Sequence, residues 1–197
     1  MENSEAIPAP TVTINSRSTM RLFTAIDIPE GLRQALQTLL QESLPGVRWT
    51  TAEQIHLSLR FIGEADCQTF ANIREALGQL SFPTFVLRPQ GLGVFPTPMR
   101  PRILWLGLQA DKTLFALQSG IEIALRRLGL KAEAKPFIPH ITLGRCKFPA
   151  PREVGAFLAK HRDFAAESFE VRDFHLYSSL LSPKGSTYRR EYSYPLL

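Results

Sequence analysis

His56-Leu57-Ser58-Leu59-Arg60-Phe61 and His140-Ile141-Thr142-Leu143-Gly144-Arg145 are the two stretches whose reading decides the fold. Both alternate apolar with polar residues, and a period of two marks a strand with one buried face. Strict alternation assigns His56, Ser58 and Arg60 to one face of the first strand, with Leu57, Leu59 and Phe61 on the other. In the second copy His140 and Thr142 share a face while Ile141 and Leu143 point to a core. Each strand therefore displays an imidazole beside a hydroxyl. A single His-x-Ser or His-x-Thr carries little information, and a lone strand histidine is commonly structural. Two copies, each in an apolar strand and each followed by a glycine or arginine, form a much stronger signal.

The surrounding sequence builds a similar round of elements about each copy. Met20 to Ile28 is an apolar, β-favouring run closed by Asp27 and Pro29, a helix-start signal, and a helix is expected over 30–42. Pro45-Gly46 ends it, Val47 to Trp49 forms a short strand, and Ile55 to Ile62 a longer one stopped by Gly63. Phe70, Ile73, Leu77 and Leu80 recur at helical intervals within 66–80. The second round brings strands over 84–92 and 103–108, a helix carrying Leu114, Leu117, Ile121, Leu125 and Leu128, and the strand 138–146. A helix over 152–161, a strand over 169–181, a turn at Lys184-Gly185 and a last strand complete an α+β chain in two lobes, with strands facing helices. Residues 1–19, polar and broken by Pro8 and Pro10, read as a flexible tail ahead of a single bilobal domain over 20–197.

Composition bounds the function classes. With 197 residues, 44% hydrophobic and 21% charged, the chain can bury a sizeable core and is not a disordered protein. The formal charge of +5 favours anionic partners without choosing among them. Its arginines, among them Arg17, Arg21, Arg48, Arg60, Arg100 and Arg145, are scattered rather than gathered in a tract. Cys67 and Cys146 form no CxxC or Cys/His cluster, so a reducing, cytoplasmic setting is expected. No apolar run is long enough for a signal peptide or a membrane helix, and no membrane partner is expected.

Imidazole, with an ordinary pKa of about 6.5, passes protons either way near neutrality. Opening a phosphodiester requires a base for the attacking water, an acid on the opposite leaving oxygen and donors for the non-bridging oxygens. His56, His140, Ser58 and Thr142 supply that list, and strands related by a rough two-fold suit in-line displacement. A catalytic zinc wants three protein ligands, which neither motif offers, and no P-loop or GxSxG elbow is present, so neither metal nor cofactor is expected. His161, at a basic helix end expected to be exposed, and His175, in an alternating strand, have no comparable company and read as structural.

HLSLRFIG and PHITLGR, together with RLFTAIDIP, GLGVFPTPMRPRILWLGL and LYSSLLSPKGSTYRREYSYPL, resemble the two-histidine (2H) phosphoesterase superfamily, and closely its RNA 2′,3′-cyclic phosphodiesterase branch, the LigT-like proteins. The resemblance covers nearly everything after Met20. It implies a bilobal α+β fold, two pseudo-symmetric lobes of antiparallel sheet flanked by helices around a central cleft that holds both histidines. It further implies hydrolysis of an RNA terminal 2′,3′-cyclic phosphate to a 2′-phosphomonoester. His56 would be the proton donor to the leaving 3′-oxygen, His140 the acceptor from water, and Ser58 and Thr142 the groups holding the phosphoryl oxygens. The family usually has threonine where Ser58 stands, a departure that keeps the donor. The family pattern places Arg145 near the phosphate, although alternation sets it on the face opposite His140 unless the strand bends; Arg60 has the better face and less family support. Phe95 and Tyr177 are candidates to stack on the terminal base. The expected partner is an RNA or nucleotide with a cyclic phosphate end, bound by a monomer. ATP-independent 2′–5′ ligation of tRNA halves by the same site and a non-catalytic RNA-binding module stand as alternatives.

Overall fold

The computed structural model describes residues 19–148, 150–182 and 185–197. The expected tail, apart from Thr19, and Lys184 of the expected turn lie outside them. In chain order the elements are β1 (Met20–Asp27), α1 (Glu30–Leu40), β2 (Val47–Trp49), a single 3-10 turn (Ala52–Gln54), β3 (His56–Ala65), α2 (Cys67–Gly78), β4 (Phe85–Thr97) and β5 (Arg100–Ala110). Then follow α3 (Lys112–Arg127), β6 (His140–Cys146), α4 (Pro151–Lys160), β7 (Phe169–Val171), β8 (Asp173–Ser182) and β9 (Gly185–Pro195). The helices begin where the sequence places stop-and-start chemistry. Asp66 and Asp111 cap α2 and α3 by accepting from the amides of Thr69 and Thr113, and Pro151 opens α4. Gly63 does not stop β3; at φ 97° it lies inside the strand beside a break in register with β1.

All strands among the described residues join one antiparallel sheet in the order β7-β4-β5-β6-β3-β1-β8-β9, with β2 added to β6. A pseudo-two-fold passes between β6 and β3. It relates β1-α1-β3-α2-β4 to β5-α3-β6-α4-β8, with β5 beside β6 as β1 is beside β3. The last strand of each round crosses over: β4 pairs with β5 of the second round and β8 with β1 of the first. This exchange ties the lobes together, because the direct junction is a single rung, Leu57 opposite Ile141. Beyond that rung β2 takes the edge of β6, pairing Arg48 with Arg145 and Trp49 with Gly144, and the sheet opens into a cleft.

The helices cover the opposite face. Leu32, Leu36 and Leu39 of α1, Ile73 and Leu77 of α2, Leu114, Leu117, Ile121 and Leu125 of α3, and Val154 and Phe157 of α4 meet Leu57, Leu59, Ile141 and Leu143 in one core. At roughly 1.5–3 kcal/mol per buried aliphatic or aromatic side chain, this core is what holds β3 and β6 side by side.

Candidate active site

Along β3 and β6 the burial pattern runs in parallel: histidine half-buried, Leu57 or Ile141 buried, then the hydroxyl residue facing outward, then two buried residues in succession. Those two are Leu59-Arg60 and Leu143-Gly144, and each spans a break in register against the neighbouring strand, between Thr24 and Ala25 on β1 and between Leu104 and Trp105 on β5. An extra residue in one strand reverses the facing of everything after it. The consequence is opposite for the two expected arginines. Arg60 does not share the face of His56 and Ser58; it turns into the core side, 7% exposed, and Phe61 takes its place in the cleft. Arg145 is carried onto the face of His140 and lines the cleft.

Arg60 is held away from the cleft by a full set of acceptors. Its Nε donates to Glu122 at 2.5 Å, Nη1 reaches Glu133 at 3.4 Å and the carbonyl of Phe61, and Nη2 the carbonyl of Lys131. Its counterpart Gly144 has no side chain because β2 lies across it: a Cβ there would stand 2.9 Å from Val47 and 3.0 Å from Trp49.

The antiparallel rung of Leu57 and Ile141 sets His56 opposite Thr142 and Ser58 opposite His140 when continued by one residue. The histidines are thus diagonal neighbours, a relation that spans about 7–8 Å in such a ladder. Each ring is anchored alike. His56 Nδ1 lies 2.7 Å from the Gln54 carbonyl and His140 Nδ1 2.7 Å from that of Ile138. A carbonyl only accepts, so Nδ1 carries the proton in both rings and Nε2 is left for the cleft. Ser58 Oγ stands 2.9 Å from His56 Nε2. Aromatic rings buttress both imidazoles: Phe23 at 5.1 Å and Tyr188 at 5.4 Å around His56, Phe95 at 5.0 Å and Trp105 at 6.4 Å around His140.

The surroundings differ in charge. Asp27 is the cross-strand partner of His56, whereas Gly107 holds the corresponding place beside His140. Burial, the largest influence, pulls the His56 imidazole below its ordinary pKa; the Gln54 carbonyl and Asp27 oppose it, and His140 and Arg33 reinforce it. Asp27 is itself fixed, accepting from the Tyr177 hydroxyl at 2.6 Å and from Arg190. The Tyr177 phenol is pushed up to about 12, chiefly by burial, and so stays a neutral donor.

Neither Phe95 nor Tyr177 lines the cleft: Phe95 packs on Trp105 and His140, and Tyr177 stacks under Phe23. The aromatic walls are Phe23, Trp49, Phe61 and Tyr188 instead, joined by Arg21, whose guanidinium lies 4.8 Å over the Phe61 ring. His175 is buried, with Nδ1 2.9 Å from Ser193 Oγ and Nε2 3.2 Å from Asp173. His161 is not the exposed residue its sequence context suggests. It is 17% exposed, with Nε2 2.6 Å from Glu42, which also pairs with Lys160.

A bilobal α+β fold in which two matched His-x-hydroxyl strands face one cleft defines a two-histidine phosphoesterase. The family profile described as LigT like Phosphoesterase matches residues 26–105 and again 106–188, and the chain belongs to that family. The RNA 2′,3′-cyclic phosphodiesterase of Archaeoglobus fulgidus is 35% identical over 172 residues, 86% of this chain and 97% of that one. That of Thermotoga maritima is 35% identical over 176 residues, covering 86% and 92%. Among solved structures, Escherichia coli LigT complexed with 3′-AMP superposes with a TM-score of 0.77 at 25% identity, over 91% of this chain and 99% of that one. The structure of a Thermus thermophilus protein, TT0787, gives 0.75 at 29% identity, over 89% and 97%. No helix among the described residues is long and apolar enough to cross a membrane.

Proposed function

We propose that this protein hydrolyses the 2′,3′-cyclic phosphate at an RNA end to a 2′-phosphomonoester, without a metal ion. The observation that carries the reading is the matched pair of imidazoles, each locked through Nδ1 to the carbonyl two residues before it, with both Nε2 atoms offered to a cleft that no carboxylate among the described residues lines. Curated relatives at 35% identity bear the corresponding name, which favours this substrate over other phosphodiesters.

In the proposed step His140 Nε2 accepts a proton from water as the water oxygen bonds to phosphorus. The bond from phosphorus to the 3′-oxygen breaks on the far side, and His56 Nε2 delivers a proton to that oxygen, leaving a free 3′-hydroxyl. Afterwards His140 is protonated and His56 neutral, and exchange with solvent restores both. Ser58, Thr142 and Arg145 hold the non-bridging oxygens, Ser58 giving up its contact with His56 as substrate enters. Asp27 favours a charged ring at His56, which supports that ring as the acid, and Gly107 leaves His140 without such a partner at the corresponding place.

Alanine at His56 or His140, assayed separately on a nucleoside 2′,3′-cyclic phosphate with chelator present, is expected to lower kcat by about 10²–10⁴. Full activity in either variant, or a requirement for added metal in the unmodified protein, would overturn the reading.

A further inference from the structure

Two residues along β5 separate the rung of Thr142 from that of Arg145, opposite Trp105 and Ile103 respectively, which is a distance of about 7 Å. At that second rung Arg145 faces Arg48 directly across the β2–β6 ladder. Like charges in this relation repel. Five other arginines, Arg60, Arg162, Arg172, Arg189 and Arg190, have a carboxylate within reach. Among the described residues neither Arg48 nor Arg145 forms an ion pair, both are exposed, and both line the cleft. The local backbone keeps them together, since β2 is pinned to β6 on both sides of Arg48 and the Thr50 amide donates to the Leu143 carbonyl at 2.8 Å.

We infer that Arg48 and Arg145 form a subsite for a second phosphate, the phosphodiester that precedes the terminal nucleotide, so that a cyclic end carrying that phosphodiester is turned over more efficiently than a free nucleoside cyclic phosphate. This rests on the hydrolytic reading above. The reactive phosphate sits between the imidazoles, and the arginine pair lies one short step along the cleft, where the next backbone phosphate of an extended strand falls. Guanidinium groups hold phosphate oxygens through paired, directional donors, and an anion between Arg48 and Arg145 converts their repulsion into a shared attraction. Arg145 can turn to either phosphate; Arg48, one strand further out, serves the second.

The test compares kcat/KM for a nucleoside 2′,3′-cyclic phosphate with that for a dinucleotide ending in the same cyclic nucleotide, using the unmodified protein, Arg48→Gln and Arg21→Gln. The unmodified protein is expected to favour the dinucleotide by roughly ten- to hundredfold, the range of a charge-assisted contact. Arg48→Gln should remove most of that ratio, and an uncharged methylphosphonate in place of the internal phosphodiester should remove it equally, with no further loss when the two are combined. A merely structural role for Arg48 lowers both substrates alike and leaves the ratio intact, which overturns the inference. So does a methylphosphonate dinucleotide turned over as well as the charged one, or a ratio abolished by Arg21→Gln and not by Arg48→Gln. Failure of the unmodified protein on both substrates overturns the hydrolytic reading, and this one with it.

Discussion

Replacing Arg60 by methionine distinguishes a structural clamp from a phosphate ligand. Methionine keeps most of the aliphatic stem and removes every donor. Two backbone carbonyls, of Phe61 and Lys131, then lose their partner at roughly 1 kcal/mol each, and the charged hydrogen bond to Glu122 accounts for about 1.5 kcal/mol more. Glu122 is 20% exposed and can turn partly to water, and Glu133 is more exposed still, so the whole loss comes to about 3 kcal/mol. For a chain of this length that corresponds to a midpoint lowered by about 6–12 °C. Urea titration should show the midpoint concentration falling with an unchanged slope, while kcat/KM of the folded variant on a nucleoside 2′,3′-cyclic phosphate stays within a few-fold of the parent. A stable variant with activity lost by a hundredfold or more would refute the facing of Arg60 derived from the β3 bulge.

Three further outcomes concern the site and a fourth its support. Because burial holds free His56 below its ordinary pKa and a bound phosphate anion favours its charged form, the alkaline limb of kcat should lie at higher pH than that of kcat/KM; coincident or inverted limbs would exclude His56 as the acid. Asp27→Asn should move the kcat/KM limb further toward acid, since it removes a charge that opposes the effect of burial, and a limb left in place would show that Asp27 does not act on the ring. Ser58→Ala should lower kcat by about 10², the cost of one oxygen-holding donor, and Ser58→Thr should not; equal losses in both would mean the hydroxyl is not the operative group. Gly93→Ala would put a Cβ 2.2–2.7 Å from the Trp105 ring, which itself packs on Phe95 and lies near His140. Stability should fall by roughly 1–3 kcal/mol with a changed tryptophan emission, and unchanged spectra and midpoint would show that the ring has room to move.

Residue spacing settled the elements and the pair of motifs. Periodicity marks β3, β6 and the buried stripe of α3, because a residue's place on a helix or strand face depends on its position along the chain alone. Laying HLSLRF over HITLGR sets Arg60 against Gly144 and Phe61 against Arg145, a signal that could have shown which arginine belongs in the cleft. Alternation could not show it, since the period of two holds only until an extra residue enters one strand, and whether it enters depends on the hydrogen bonds of the neighbouring strand. The crossing of β4 and β8 between lobes, and the arrival of Asp27, Phe23 and Arg21 beside β3, likewise depend on pairings between residues remote in the chain. Local sequence wrote the two imidazole strands; only the closing of the sheet at Leu57 and Ile141 brought them to one cleft, because that contact is made by a core to which every helix contributes.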